Sequence, residues 1–126
     1  MSEVFELGPT RLRVVAASDV ATVIEGELSP GGGSSWHTHT REDETIVVVE
    51  GTLVVNDGAR RELGEGEAYV LPRGVRHAFA NESDSAVRVY FFCSPGGLER
   101  FFRELVAASG DGDVAAAAER AGLVFG

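Results

Sequence analysis

One cysteine, one tryptophan, one methionine and three histidines are all that this chain of 126 residues holds of those types. The lone Cys93 excludes an internal disulfide and leaves no CxxC pair to hold zinc or run redox chemistry. Positive charge is also scarce. Eleven basic residues face twenty acidic ones, for a net charge of −9, so a phosphate backbone is repelled and nucleic acid is excluded as a partner. No apolar run approaches the roughly 20 residues that cross a bilayer, so no membrane partner is expected. The start, Met1-Ser2-Glu3-Val4-Phe5-Glu6, lacks the basic and apolar stretches of an export signal, and the expected location is cytoplasmic. A mass of 13.3 kDa fits one domain over residues 1–126. The hydrophobic share of 44% and charged share of 25% are those of a globular chain.

Glycine, by contrast, is plentiful at 16 residues, and it separates short runs rich in Val, Ile, Thr, Tyr and Phe, types that suit a pleated surface. Strands are predicted over 11–17, 21–28, 36–38, 45–50, 52–56, 60–63, 68–71, 77–80 and 87–92. Thr22, Ile24, Gly26 and Leu28 share one face while Glu25 and Glu27 face water, as period two requires. Many short strands between turn signals indicate an all-β sandwich or barrel. Asn56-Asp57-Gly58 reads as a hairpin with a type I′ turn. The region from about 94 to 122 reads as a helical extension. Ser94 is the expected cap of a first helix with Pro95 at its first position, and Leu98, Phe101, Phe102, Leu105 and Val106 form its apolar stripe. A second helix is predicted from Asp113, as cap, to Ala121, with Gly122 as its stop. The stripe is expected to pack on the outside of the barrel, with a dimer contact as the alternative.

All three histidines fall into one pattern. His37 and His39, two apart, project from the same face of an extended strand. Glu44 opens the apolar run Thr45-Ile46-Val47-Val48-Val49; if it points inward, Ile46 and Val48 do too. A carboxylate there needs a neutralising partner, since burying it alone costs several kcal/mol. A divalent cation on the two imidazoles would serve. Glu42 and Asp43, close to the histidine pair, are rivals of Glu44; the spacing favours Glu44, and the two are read as solvated loop charges. Asn81 is read as a turn residue whose amide ties loop backbone, and Cys93 as a small buried hydrophobe. Gly51 and Gly74 are expected in tight turns at positive φ. Arg73 and Arg76 are read as surface residues, with the steering of an anionic substrate as the alternative.

From Gly31 to Gly51 the chain reads G-x5-H-x-H-x4-E-x6-G, and from Gly66 to Asn81 it reads G-x5-P-x-G-x2-H-x3-N. Together these resemble the two signature motifs of the cupin superfamily, over a motif core of residues 31–81. The resemblance implies a double-stranded β-helix, the jelly-roll barrel, with one divalent transition metal inside on His37, His39, Glu44 and His77. Three imidazoles and one carboxylate suit Fe, Mn, Ni, Cu, Co or Zn better than calcium or magnesium. Ile24, Leu28, Ile46, Val48, Phe79, Val89 and Phe91 are the expected lining of an apolar pocket for a small molecule that presents an oxygen to the metal. The chain looks like the small quercetin dioxygenase-like cupins, which implies a dioxygenase in which Glu44 is both ligand and proton acceptor. Two alternatives accompany that reading: a metal-dependent isomerase or cyclase of a carbonyl, polyketide-type compound, and a non-catalytic binding cupin. A homodimer is the expected assembly.

Overall fold

A computed structural model describes residues 3–126. Its strands are β1 (Val4–Leu7), β2 (Thr10–Ala17), β3 (Thr22–Leu28), β4 (His37–His39), β5 (Asp43–Glu50), β6 (Leu53–Asn56), β7 (Arg60–Leu63), β8 (Ala68–Leu71), β9 (Ala78–Ala80), β10 (Val87–Ser94) and β11 (Leu123–Phe125), with helices α1 (Glu99–Ala107) and α2 (Asp111–Ala121) before the last strand. Six strands form one antiparallel sheet in the order β1-β2-β3-β10-β5-β8. Opposite it lie β7-β6-β9 and β11-β4. Single bridges, Gly33 to Ala80 and His37 to His77, join those two smaller groups into one wall.

Alternation decides which side chains meet between the sheets. Along β10, Val87, Val89, Phe91 and Cys93 are buried while Arg88, Tyr90 and Phe92 point outward. Its register sets Phe91 between Ile24 of β3 and Ile46 of β5. Gly26 belongs to this packing, because a Cβ there would stand 2.7 Å from the Phe91 ring. Leu28, Ile46, Val48, Leu53, Val55, Leu71, Val87 and Val89 lie in the closed core, and Ile24 packs at its edge. Each contributes about 1.5–3 kcal/mol, whereas an exposed ion pair such as Arg60–Glu62 contributes about 0–1 kcal/mol.

Four expectations change here. The hairpin at Asn56 forms, but Asn56 pairs with Arg60 across three residues. Only Gly58 among them has positive φ, so the turn is not type I′, which needs two such residues. Ser94 does not cap α1. Its hydroxyl donates to the Val20 carbonyl at 2.8 Å, and Leu98 takes the cap position with no side-chain hydrogen bond. Asp113 lies inside α2, where it accepts from the Ser109 amide at 3.0 Å; Gly110 is the cap. Finally, α1 does not lie on the outside of a finished barrel. Leu98 and Phe101 are buried with Cys93, Ala117, Ala118 and Leu123 in a second apolar cluster, which closes one end of the sheets. Gly122 does end α2, at φ 71°, and β11 then pairs with β4.

Candidate metal centre

His37 and His39 stand on β4 with Thr38 turned the other way, and both are buried. His77 sits just before β9, held to His37 by two backbone hydrogen bonds of 2.9 Å, one in each direction. That bridge locks the spacing of histidines 40 positions apart in sequence. Glu44 comes from β5, paired with Cys93 on one side and Leu71 on the other. The donor atoms of His37, His39, Glu44 and His77 all lie within 4.8 Å of one another. One oxygen of Glu44 is 3.4 Å from Nε2 of His39 and 3.6 Å from Nε2 of His77.

Each imidazole is held through its other nitrogen. Nδ1 of His37 lies 2.7 Å from the Ser35 carbonyl, Nδ1 of His77 3.1 Å from the Val75 carbonyl, and Nδ1 of His39 3.0 Å from a carboxylate oxygen of Glu42. With Nδ1 occupied, Nε2 remains for the centre. Nε2 of His77 is fully buried and has no hydrogen-bond partner. A buried polar atom without one calls for an explanation, and three imidazoles with a carboxylate around one point fit a divalent transition ion. The cluster is therefore able to hold a metal.

Electrostatics divides the three histidines. Burial pushes His37 down to about 4, so its ring is neutral at pH 7. Burial also opposes charge on His39, but the carboxylates of Glu42 and Glu44 outweigh it and raise the group to about 9. Burial likewise opposes charge on Glu44, and the imidazoles of His39 and His77 outweigh it, holding the carboxyl at about 2. In the metal-free protein a proton on His39 thus offsets part of the negative charge beside it.

A cavity of about 180 Å³ runs onto this cluster, with His37, His39 and Glu44 on its wall. Of the expected pocket residues, Ile24, Phe79 and Phe91 line it. Leu28, Ile46, Val48 and Val89 do not: they face inward as predicted but lie in the closed core. Facing inward does not distinguish a cavity wall from packed core. Other parts of the wall come from unexpected places, among them Leu7 of β1, Leu12 of β2, Phe101, Phe102 and Leu105 of α1, and Leu123 and Phe125 of β11. A run of strand formers after Gly122 was the signal for β11.

Glu42 is the second correction. Its side chain is 5% exposed because the turn after β4 folds it back onto His39, so it is no solvated loop charge. Asp43 and Arg73 pair at the surface at 3.2 Å. Arg76 stacks over Trp36 at 4.1 Å and donates to the Gly126 carbonyl at 2.8 Å. Asn81 ties loops as expected, donating to the Leu28 and Ser85 carbonyls at 2.9 and 2.7 Å. Cys93 is buried, which pushes its thiol far up. Gly51 and Gly74 have φ of 87° and 84°.

Residues 20–93 match the Cupin domain family. The chain belongs to the cupins. The tetracenomycin polyketide synthase protein TcmJ of Streptomyces glaucescens is 37% identical over 70 residues, which are 55% of this chain and 47% of that protein. The chain spans about half the length of the curated relatives it matches. The polyketide cyclase RemF of Streptomyces resistomycificus superposes with a TM-score of 0.65 at 25% identity, covering 74% of this chain and 73% of that one. An uncharacterized Klebsiella pneumoniae protein with a double-stranded β-helix domain gives 0.66 at 20% identity, covering 73% and 82%. This cupin is therefore a double-stranded β-helix, as the motifs implied, with two short C-terminal helices, as the spacing after residue 94 predicted.

Proposed function

We propose that this cupin is a metal-dependent cyclase or isomerase of a small, apolar, carbonyl-bearing compound of the aromatic polyketide type. The observation that carries the reading is the cavity itself, whose aromatic wall ends on His37, His39 and Glu44. The relatives named for polyketide synthesis support it over the quercetinase-type dioxygenase.

A divalent transition ion on His37, His39, Glu44 and His77 supplies Lewis acidity toward a carbonyl or enolate oxygen. The side chains around it do the rest. Phe79, Phe91, Phe101 and Phe125 bind a flat ring system and exclude water from it. Glu44 is the one carboxylate among the described residues that line the cavity. It accepts the proton from the carbon next to a substrate carbonyl. The new carbon–carbon bond forms between that carbon and a second carbonyl of the same molecule, whose oxygen then takes the proton back. No oxidant is consumed. A Schiff base with the substrate has no candidate, because the chain contains no lysine, and its one thiol is buried and held protonated.

The deciding experiment gives the metal-loaded protein an enolisable poly-β-ketone under nitrogen and follows product mass. Turnover without oxygen, to a product of equal mass or one water lighter, is expected. Turnover that requires oxygen and adds its mass to the product would reinstate the dioxygenase.

A further inference from the structure

Among the three imidazoles, His39 alone is backed by charge. His37 and His77 lean on neutral backbone carbonyls, while the Nδ1 partner of His39 is the Glu42 carboxylate at 3.0 Å. Both side chains of that pair are buried, at 7% and 5% exposure. Together they separate two cavities. His39 lines the apolar one, and Glu42 lines a second of about 300 Å³ on its far side, among Arg41, Arg100 and Arg120. A buried carboxylate needs a partner to remain, and the one that Glu42 has is the imidazole of His39. Glu42 has no place on the substrate cavity, so it can act on bound ligands only through His39.

We propose that Glu42 is a positioning residue of the metal centre. Its carboxylate fixes His39 in the tautomer that turns Nε2 inward and makes this ring the strongest of the three imidazole donors. The physical basis is general: an anion on the outer nitrogen raises the basicity of a ligating imidazole and holds its plane. The inference rests on the reading that a divalent ion binds the cluster. It adds that the ion is gripped unequally, through a group at an unspecified position of the first cupin motif.

The test loads the full chain with cobalt(II) and compares it with Glu42→Gln, Glu42→Ala and Asp43→Asn. Dissociation constants come from competition with a chelator, and the visible ligand-field spectrum is recorded at saturation. Glu42→Ala is expected to bind about ten- to a hundredfold more weakly, with shifted bands. Glu42→Gln keeps an acceptor for Nδ1–H and the volume of the side chain, so it loses less and its bands stay closer to the parent. Asp43→Asn removes the same charge one residue away, at the surface, and is expected to change neither readout. Circular dichroism of the metal-free variants establishes folding; should Glu42→Ala fail to fold, Glu42→Gln decides by its affinity and spectrum. Parent-like binding and bands in the folded Glu42 variants would overturn the role of Glu42 and leave the metal centre standing. Failure of the parent itself to bind cobalt would overturn the metal reading, and the positioning role with it.

Discussion

The two walls of the cavity are built by opposite means. The wall that carries the histidines is set by backbone: β4 presents two rings by alternation, and a reciprocal backbone bridge fixes the third. The wall beside it is assembled from the C-terminal quarter of the chain, where α1 contributes Phe101, Phe102 and Leu105, and β11, the neighbour of β4, contributes Leu123 and Phe125. Backbone hydrogen bonds set the spacing of His37 and His77, whereas packing of α1 shapes most of the other wall, with β11 fastened to β4 by pairing. Donor atoms must converge within tenths of an ångström, while an apolar wall has only to be hydrophobic and of suitable volume. The donor cluster and the apolar lining are therefore expected to be separable in this molecule.

Crossed substitutions break that separation if it is false, and they carry the largest expected effects. His77→Ala should reduce bound transition metal from about one ion per chain to under about a tenth, because it removes a ligand whose nitrogen has no other partner. Its fold should survive, since the centre forms no part of the main apolar cluster. Phe101→Ala should do the reverse. The ring is 4% exposed, and deleting it costs about 3–5 kcal/mol of stability while the metal content of the folded fraction stays at the parent level. Elemental analysis beside urea unfolding reads both. Metal loss from folded Phe101→Ala would show that the two walls are one unit.

Acidity sharpens the same contrast. Ligating imidazoles must be neutral, yet in the metal-free protein His39 is raised to about 9. An entering ion must displace that proton, so affinity is expected to fall about tenfold for each pH unit lost below 9, and more steeply as His37 begins to protonate near 4. The metal-free fold runs the other way. A raised histidine contributes stability that is fully present below its ordinary 6.5 and is lost as pH rises through about 9. Titration calorimetry in buffers of different ionisation enthalpy counts the proton released. A count near zero at pH 7 would mean that His39 is neutral before the ion arrives.

How much of this could be read from the residues follows the same division. Strands and histidines were legible because period two and fixed spacing are local: Thr22, Ile24, Gly26 and Leu28 do share a face, and His37, His39, Glu44 and His77 do meet. Glu42 was not legible. Three acidic residues in a row between two strands look alike in sequence, and only the path of the turn decides that Asp43 meets Arg73 outside while Glu42 meets His39 inside. β1 was missed for a related reason. Its four residues hold one buried ring, Phe5, whose packing on Phe102 of α1 spans nearly the whole chain. The cavity lining was half legible, because alternation separates inside from outside but not void from core.

The smallest of these effects bears on how the C-terminal wall is fastened. β11 reaches β4 only because Gly122 turns the chain at φ 71°, and its carbonyl accepts from both the amide of Thr40 at 2.9 Å and the hydroxyl at 2.6 Å. A Cβ at this position would stand 2.6 Å from the Thr40 hydroxyl oxygen and 2.9 Å from the Arg41 side chain. Gly122→Ala therefore meets both a disfavoured backbone region and a close contact, and is expected to cost about 1–2 kcal/mol. The loss should be confined to one place. Amide exchange should quicken in Leu123, Val124 and Phe125, whose pairing with β4 holds this wall, while the amides of His37 and His77 stay protected by their reciprocal bridge. Equal quickening at both sets would mean that the donors borrow their rigidity from the C-terminal strand, and the contrast between the two walls would fail at its point of contact.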